Sequence, residues 1–239
     1  MPFIISNTQG PFRYVAQSNM YKSINTLSAA EKPAFYYPFL TDTKNYAIPN
    51  NISGISDGTL SNANIYYQSS VGYKLGVGSL YNSTVLTAND FSIPNNTYLA
   101  SKGYCIAFWF KVTGVGMLFK ATNPSTSSWY YVFFDGSSLI LDNNHQSSII
   151  SGINTNVWYH FVWNVPPSGL AYSYINGGVV NGGRDILYSA TPNQAYNLSP
   201  SRTDIFFDSL SYGASGYMNN FYIYNRPITQ VEINTLWQE

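Results

Sequence analysis

From Tyr36 onward the chain is built of short β-branched and aromatic runs, separated about every 8–12 residues by clusters of Gly, Asn, Asp, Ser and Pro. The clearest runs are YCIAFWFKV (104–112), WYYVFFD (129–135), SLILD (138–142), VWYHFVWNV (157–165), AYSYING (171–177) and NFYIYN (220–225). All have the length of strands rather than helices. Side chains alternate along a strand, so Tyr104, Ile106, Phe108 and Phe110 share one face of the first run, and Cys105, Ala107, Trp109 and Lys111 share the other. Both faces are largely apolar. This strand is therefore expected to be covered on both sides or to lie centrally.

Turn chemistry orders the runs. Asn176-Gly177 is the dipeptide that favours a two-residue hairpin with positive φ at both positions. Pro166-Pro167-Ser168-Gly169 separates two further runs. Together they predict an antiparallel meander from Val157 to Val180. Helical signals are few. Thr229 and Glu232 form a capping-box pattern ahead of Val231, Ile233, Leu236 and Trp237, which predicts a helix of one or two turns. Residues 1–35 lack strand alternation and read as an N-terminal arm or lead-in to a domain over 36–239. No repeat of about 20–50 residues suggests a solenoid or propeller.

Composition narrows the partners. Charged residues make up 9% of the 239 and aromatic residues 17%, so solubility must rest on Asn, Ser, Thr, Tyr and Gly. The formal charge is zero and no Lys/Arg cluster is present, which argues against nucleic acid. No apolar stretch reaches the ~20 residues that span a bilayer, so membrane insertion is not expected. The opening PFII is too short for a signal-peptide core, and the chain is expected to be mature from its first residue. Cys105 is the single cysteine, which excludes an internal disulfide and leaves the redox compartment open. Asn51, Asn82, Asn95 and Asn197 fit the glycosylation pattern, but a chain this rich in Asn and Ser produces such matches by accident.

The order of motifs adds a resemblance. YYPFLTDTKNYA (36–47), CIAFWFKV, SLILDN, NVWYHFVWNV, AYSYINGGVV and GYMNNFYIYNRPITQVEI follow one another as in the laminin-G-like branch of the concanavalin A-like lectin/glucanase superfamily, which is also similar to the pentraxins. The resemblance covers about residues 36–237. It implies an all-β fold, an antiparallel two-sheet β-sandwich of the jelly-roll type with about six or seven strands per sheet and a short C-terminal helix. It further implies that the early Tyr-x-Phe element lies in an edge region, that FWF is central, and that WYHFVW and YING form a hairpin.

The superfamily holds glycan-binding modules, protein-recognition modules and some glycoside hydrolases, so function must be argued from residues. Hydrolysis of a glycosidic bond needs two carboxylates across it. Glu31, Glu232 and Glu239 are the only glutamates and none lies on a predicted central strand, so no catalytic residue is assigned and a hydrolase or lyase is kept as the alternative. His160, inside VWYHFVW, reads as a hydrogen-bonded structural histidine, and His145 as a solvated one. No cofactor is expected from the residues themselves. The resemblance implies a calcium site, with Asp42 and Asn219 as candidate ligands. Asn219-Asn220 stands where the family carries an acidic pair, and the lost charge lowers calcium affinity. The other reading is that both asparagines bond neighbouring backbone. Candidate ligand contacts are Tyr66, Tyr67, Trp129, Tyr130 and Tyr212, which fall near predicted loops or strand ends. The expectation is a non-catalytic recognition or assembly module that meets a glycan or protein partner, or assembles with itself, on a virion or extracellular surface.

Overall fold

Cover on both faces of the run at 104–112 organises the structure, a computed structural model. It describes residues 33–39, 47, 59–60, 65–68, 71–72, 79–83, 91–94, 103–123, 128–142, 147–167, 172–178, 188–189, 202–206 and 213–238. In chain order the strands are β1 (Phe35–Tyr37), β2 (Thr59–Leu60), β3 (Ile65–Gln68), β4 (Ser79–Asn82), β5 (Phe91–Pro94), β6 (Tyr104–Val112), β7 (Gly116–Asn123), β8 (Ser128–Phe134), β9 (Ser138–Asp142), β10 (Ser147–Ser151), β11 (Tyr159–Val165), β12 (Tyr172–Ile175), β13 (Tyr188–Ser189), β14 (Arg202–Ile205) and β15 (Gly216–Tyr224), followed by helix α1 (Gln230–Gln238). The first sheet has the order β13-β12-β11-β6-β15-β4-β3, and β1 also pairs β15. The second has the order β10-β9-β8-β7-β14-β5-β2. The fold is an antiparallel two-sheet sandwich with a short helix, as the motif order implies.

Between the sheets lies the larger core. Phe108, Phe110, Phe161 and Phe221 from the first sheet meet Leu118, Phe119, Val132, Phe134 and Leu139 from the second. Phe221 is the hub, with ring centroids 5.7 Å from Phe108 and 5.8 Å from Phe119. Each such buried side chain contributes roughly 1.5–3 kcal/mol by removal from water.

The opposite face of β6 needs its own cover, and the C-terminal segment supplies it. Ile228, Ile233 and Leu236 close over Cys105, Ala107, Val162, Tyr222 and Tyr224, with Tyr36 from β1 joining them. The helix starts as its sequence dictates. Thr229 N–H donates to Glu232 Oε2 (2.7 Å) and Glu232 N–H to Thr229 Oγ1 (3.3 Å), and Glu232 also pairs with Arg226. That guanidinium holds the Glu232 carboxyl down at about 2. At the other end Trp237 stacks on Trp109 at 5.0 Å. Gly177 has φ +73, and a Cβ there would fall 2.8 Å from the Trp237 ring, so only glycine admits the helix this close. Asn164 ties down the entry to the helix, because its amide donates to Ile228 O (2.8 Å) and accepts from Ile228 N–H (2.9 Å).

Individual expectations fare differently. Val231 is 74% exposed because it lies on the helix face opposite Ile233 and Leu236. The Tyr-x-Phe region stands at an edge as expected, because among the described residues β1 has a single strand partner. β1 pairs the central strand β15, with Tyr36 opposite Tyr222. Asn82 is fully buried and donates to Ala214 O (2.8 Å), so in the folded chain it cannot carry a glycan, in keeping with an accidental sequence match. Asn176 and Gly177 both have positive φ as expected, but within a single 3-10 turn, Asn176–Gly178, and Val179 and Val180 lie outside the described residues. The strand that pairs the free side of β12 is β13, Tyr188–Ser189. His160 is structural, yet neither ring nitrogen has a hydrogen-bond partner. Its backbone N–H instead donates to Asn176 Oδ1 (3.0 Å), and its ring lies against Trp109, where the neighbour is a ring face rather than a polar atom. His145 falls outside the described residues.

Burial drives the His160 pKa from 6.5 to about 3. The unfolded chain then binds a proton that the folded chain refuses, so this contribution is complete above pH 6.5 and is lost as pH falls towards 3. Between pH 7.5 and 5 the loss is about 2 kcal/mol. His160→Leu should remove that increment from the pH dependence of urea unfolding, and equal slopes in both proteins would contradict it. Asn164→Ala leaves both polar groups of Ile228 buried without their partner, with an expected cost of about 2–4 kcal/mol. A midpoint in chemical denaturation within experimental error of the parent would show that the anchor is dispensable.

Candidate functional site

The helix covers only part of the outer face of the first sheet. Two residues beyond Trp109 on β6, on the same face, stands Lys111. The register sets Tyr217 of β15 opposite Lys111, and Tyr81 of β4 opposite Tyr217. On the other flank Trp158 precedes Tyr159, which pairs with Phe110, so Trp158 borders Lys111. The four form one row across β4, β15, β6 and the residue that leads into β11, about 14 Å at the usual strand spacing.

The row is ordered by its own contacts. Tyr81 and Tyr217 stack at 4.5 Å, and Trp158 lies 6.2 Å from Tyr217. Lys111 Nζ is 4.3 Å from the Tyr217 centroid and 5.5 Å from that of Trp158. All four side chains are half-buried. Partial burial lowers the Lys111 pKa. Gly216 makes the close pairing beneath them feasible, because with φ +150 a Cβ there would lie 2.4 Å from Lys111 O.

A concavity of about 460 Å³ lies on the other sheet, lined by Gly136, Ser137, Ser138, Gly152, Ile153 and Asn154 among others. Asp135 shapes its rim by accepting from the N–H groups of Ser137 and Ser138, both at 2.8 Å, which holds its carboxyl below the usual range. Ser137 O accepts from the N–H groups of Gly152 and Ile153. This cleft offers hydroxyls but no aromatic surface.

The residues singled out from the sequence scatter. Tyr66 is the one placed beside the row, with its backbone paired opposite Tyr81. Tyr67, one residue on, pairs opposite Leu80 and packs against the inner core. Trp129 and Tyr130 belong to β8 of the second sheet, opposite Thr122 and Ala121, and their side chains lie outside the described residues. Tyr212 and Asp42 lie outside them too.

A bulge follows Asn219 in β15: Asn219 still pairs Trp109, while Asn220, with φ +46, and Phe221 together stand opposite Phe108. Asn219 Nδ2 donates to Pro38 O (2.9 Å), and Asn220 Oδ1 accepts from Tyr36 Oη (3.2 Å), the backbone-tying role foreseen for the pair joined by one side-chain bond. Sequence reasoning missed Trp158, Lys111, Tyr217 and Tyr81. The available signal was Lys111, the one charge in the run 104–112, but its neighbours become visible only with the register.

Other chemistry is spoken for. Cys105 is buried and its thiol is pushed up by desolvation, which makes it a poor nucleophile. Among the described residues no three His, Cys, Asp or Glu side chains gather as metal ligands do.

The model of the concanavalin A-like lectin/glucanases superfamily matches residues 86–234, more than half of the chain. A search of curated protein sequences returns no match. Among solved structures the chain is similar to domain 4 of AbnA, a GH43 extracellular arabinanase from Geobacillus stearothermophilus, in complex with arabinotriose. The TM-score is 0.64 at 17% identity, over 87% of this chain and 98% of that one. It is also similar to the binding domain of Paraclostridial Mosquitocidal Protein 1, with TM-score 0.59 and 13% identity over 88% of this chain and 52% of that one. Trypanosoma rangeli sialidase matches with TM-score 0.56 and 12% identity, over 94% of this chain and 38% of the sialidase. These likenesses concern the fold, and they include both binding domains and a glycoside hydrolase. By the family match and by its two stacked antiparallel sheets, the chain belongs to the concanavalin A-like lectin/glucanases superfamily.

Proposed function

We propose that this chain is a non-catalytic carbohydrate-recognition module, and that sugar rings stack on the row Trp158, Lys111, Tyr217 and Tyr81. The observation that carries the reading is the alignment of three half-buried aromatic side chains on the part of the sheet left open by the helix. Sugars present apolar C–H faces beside hydroxyl rims, and aromatic rings with polar tips match both. A row of about 14 Å suits a short oligosaccharide better than a single sugar. The similarity to an arabinanase domain crystallised with arabinotriose, and to a toxin binding domain, supports the same class of ligand.

Against hydrolysis stands the use of Glu232 as cap and ion-pair partner under the helix. The setting this reading expects is an extracellular or particle surface, virions included, in keeping with a chain that relies on Asn, Ser and Tyr for its solubility.

A glycan array followed by titration of Trp fluorescence tests the proposal. Oligosaccharide binding is expected, with Tyr217→Ala and Tyr81→Ala each weakening it about tenfold, or ~1.4 kcal/mol, while far-UV circular dichroism stays unchanged. No binding at millimolar sugar would sink the carbohydrate reading. Binding indifferent to both substitutions would move the platform elsewhere. Release of reducing sugar that a single carboxylate substitution abolishes would make the protein an enzyme.

A further inference from the structure

Lys111 sets this row apart from a neutral stacking surface. Its ammonium is held between the faces of Tyr217 (4.3 Å) and Trp158 (5.5 Å), and among the described residues no carboxylate lies within ion-pairing distance of it. The contrast with Arg226 is informative. Arg226 also lies near a ring, Tyr224 at 5.6 Å, but Glu232 neutralises it. Lys111 has given up part of its water without gaining an anion, which is why its pKa moves down.

Contact with two ring faces restricts the long side chain before any ligand arrives, so less freedom is lost on binding. An ammonium carries three N–H donors and cannot satisfy all of them on ring faces. A donor remains for the open side of the sheet. The charge is single and compact, without the planar fork that grips two oxygens of a carboxylate or phosphate at once, so a singly charged carboxylate matches it in charge.

Resting on the carbohydrate reading above, we infer that Lys111 makes the row selective for sugars bearing a carboxylate, of the uronic or sialic acid type. The pyranose face stacks on Tyr217 and Tyr81, and the carboxylate meets Lys111 Nζ. A structural role alone would leave neutral and acidic sugars equally bound.

The test pairs each acidic ligand with a neutral counterpart. Galacturonic acid oligomers are compared with their methyl esters, and sialyllactose with lactose, for the full chain and for Lys111→Met and Lys111→Arg. Met keeps an apolar stem on the rings without the charge. The parent should bind at least one acidic member about tenfold more tightly than its neutral partner, and less so at 0.5 M than at 0.05 M salt, as expected for a charge contact. Lys111→Met should abolish the preference, bringing the acidic and neutral members of each pair to equal affinity, and Lys111→Arg should retain it. The two ligand arms separate uronate from sialate. Equal binding of acid and neutral forms by the parent overturns the inference and leaves the recognition module standing, and so does a preference that survives Lys111→Met. Failure of every sugar to bind removes the carbohydrate reading itself, and this inference with it. The ester comparison needs no variant, so the inference is tested even if a substitution impairs folding.

Discussion

A central strand that is apolar on both faces must be covered twice. β6 imposes that constraint, and β15 beside it shares it through Phe221 and Ile223 on one face and Tyr222 and Tyr224 on the other. The second sheet covers the inner face. The outer face receives the helix, the segment before it and Tyr36. This cover ends where Trp237 lies on Trp109. Beyond that boundary the strands continue, and the side chains there pack across the strands on one another. The stacking of Tyr81 on Tyr217, with Lys111 over it, is how the sheet ends its own covering. The candidate site is thus the remainder of a packing problem, not an addition to the scaffold.

The bulge at Asn220 and Phe221 serves the same arrangement. Before it β15 pairs β4, and after it β15 pairs β1, while β6 runs along its other side throughout. An extra residue in a strand turns the side chains that follow to the opposite faces. Tyr217, on the outer face before the bulge, is therefore followed by Tyr222 on that face after it, an odd spacing impossible in a regular strand. Asn suits such a position because it tolerates positive φ and brings a polar side chain for nearby groups. Here those groups are Pro38 O and Tyr36 Oη.

The architecture was legible because it rests on local signals. Alternation assigned both faces of 104–112, the capping box located the helix start, and Asn176-Gly177 announced its positive φ values. What could not be read depends on which strands become neighbours. Nothing near Lys111 in the sequence points to Tyr217 or Tyr81, since the row exists only once the strands are in register. The same limit affected Tyr66 and Tyr67. They look alike in sequence, yet one pairs opposite an outward tyrosine and the other opposite an inward leucine. His160 was recognised as structural, but the lack of ring partners follows from its tertiary neighbours. Val231 fitted an apolar pattern too short to define which face of the helix would be buried.

The place of β15 in the first sheet also governs when that sheet can exist. It is among the last elements of the described chain, yet it lies between β6 on one side and β4 and β1 on the other. During synthesis the earlier strands of this sheet therefore emerge with a gap where their central neighbour belongs, and with Phe108 and Phe161 lacking the ring that completes their layer. Closure joins residues 35–37 to 221–223, a separation that makes loop closure a large part of the barrier. This sheet therefore cannot be completed before residue 224 has left the ribosome, and until then the nascent chain must keep a wide aromatic surface from self-association.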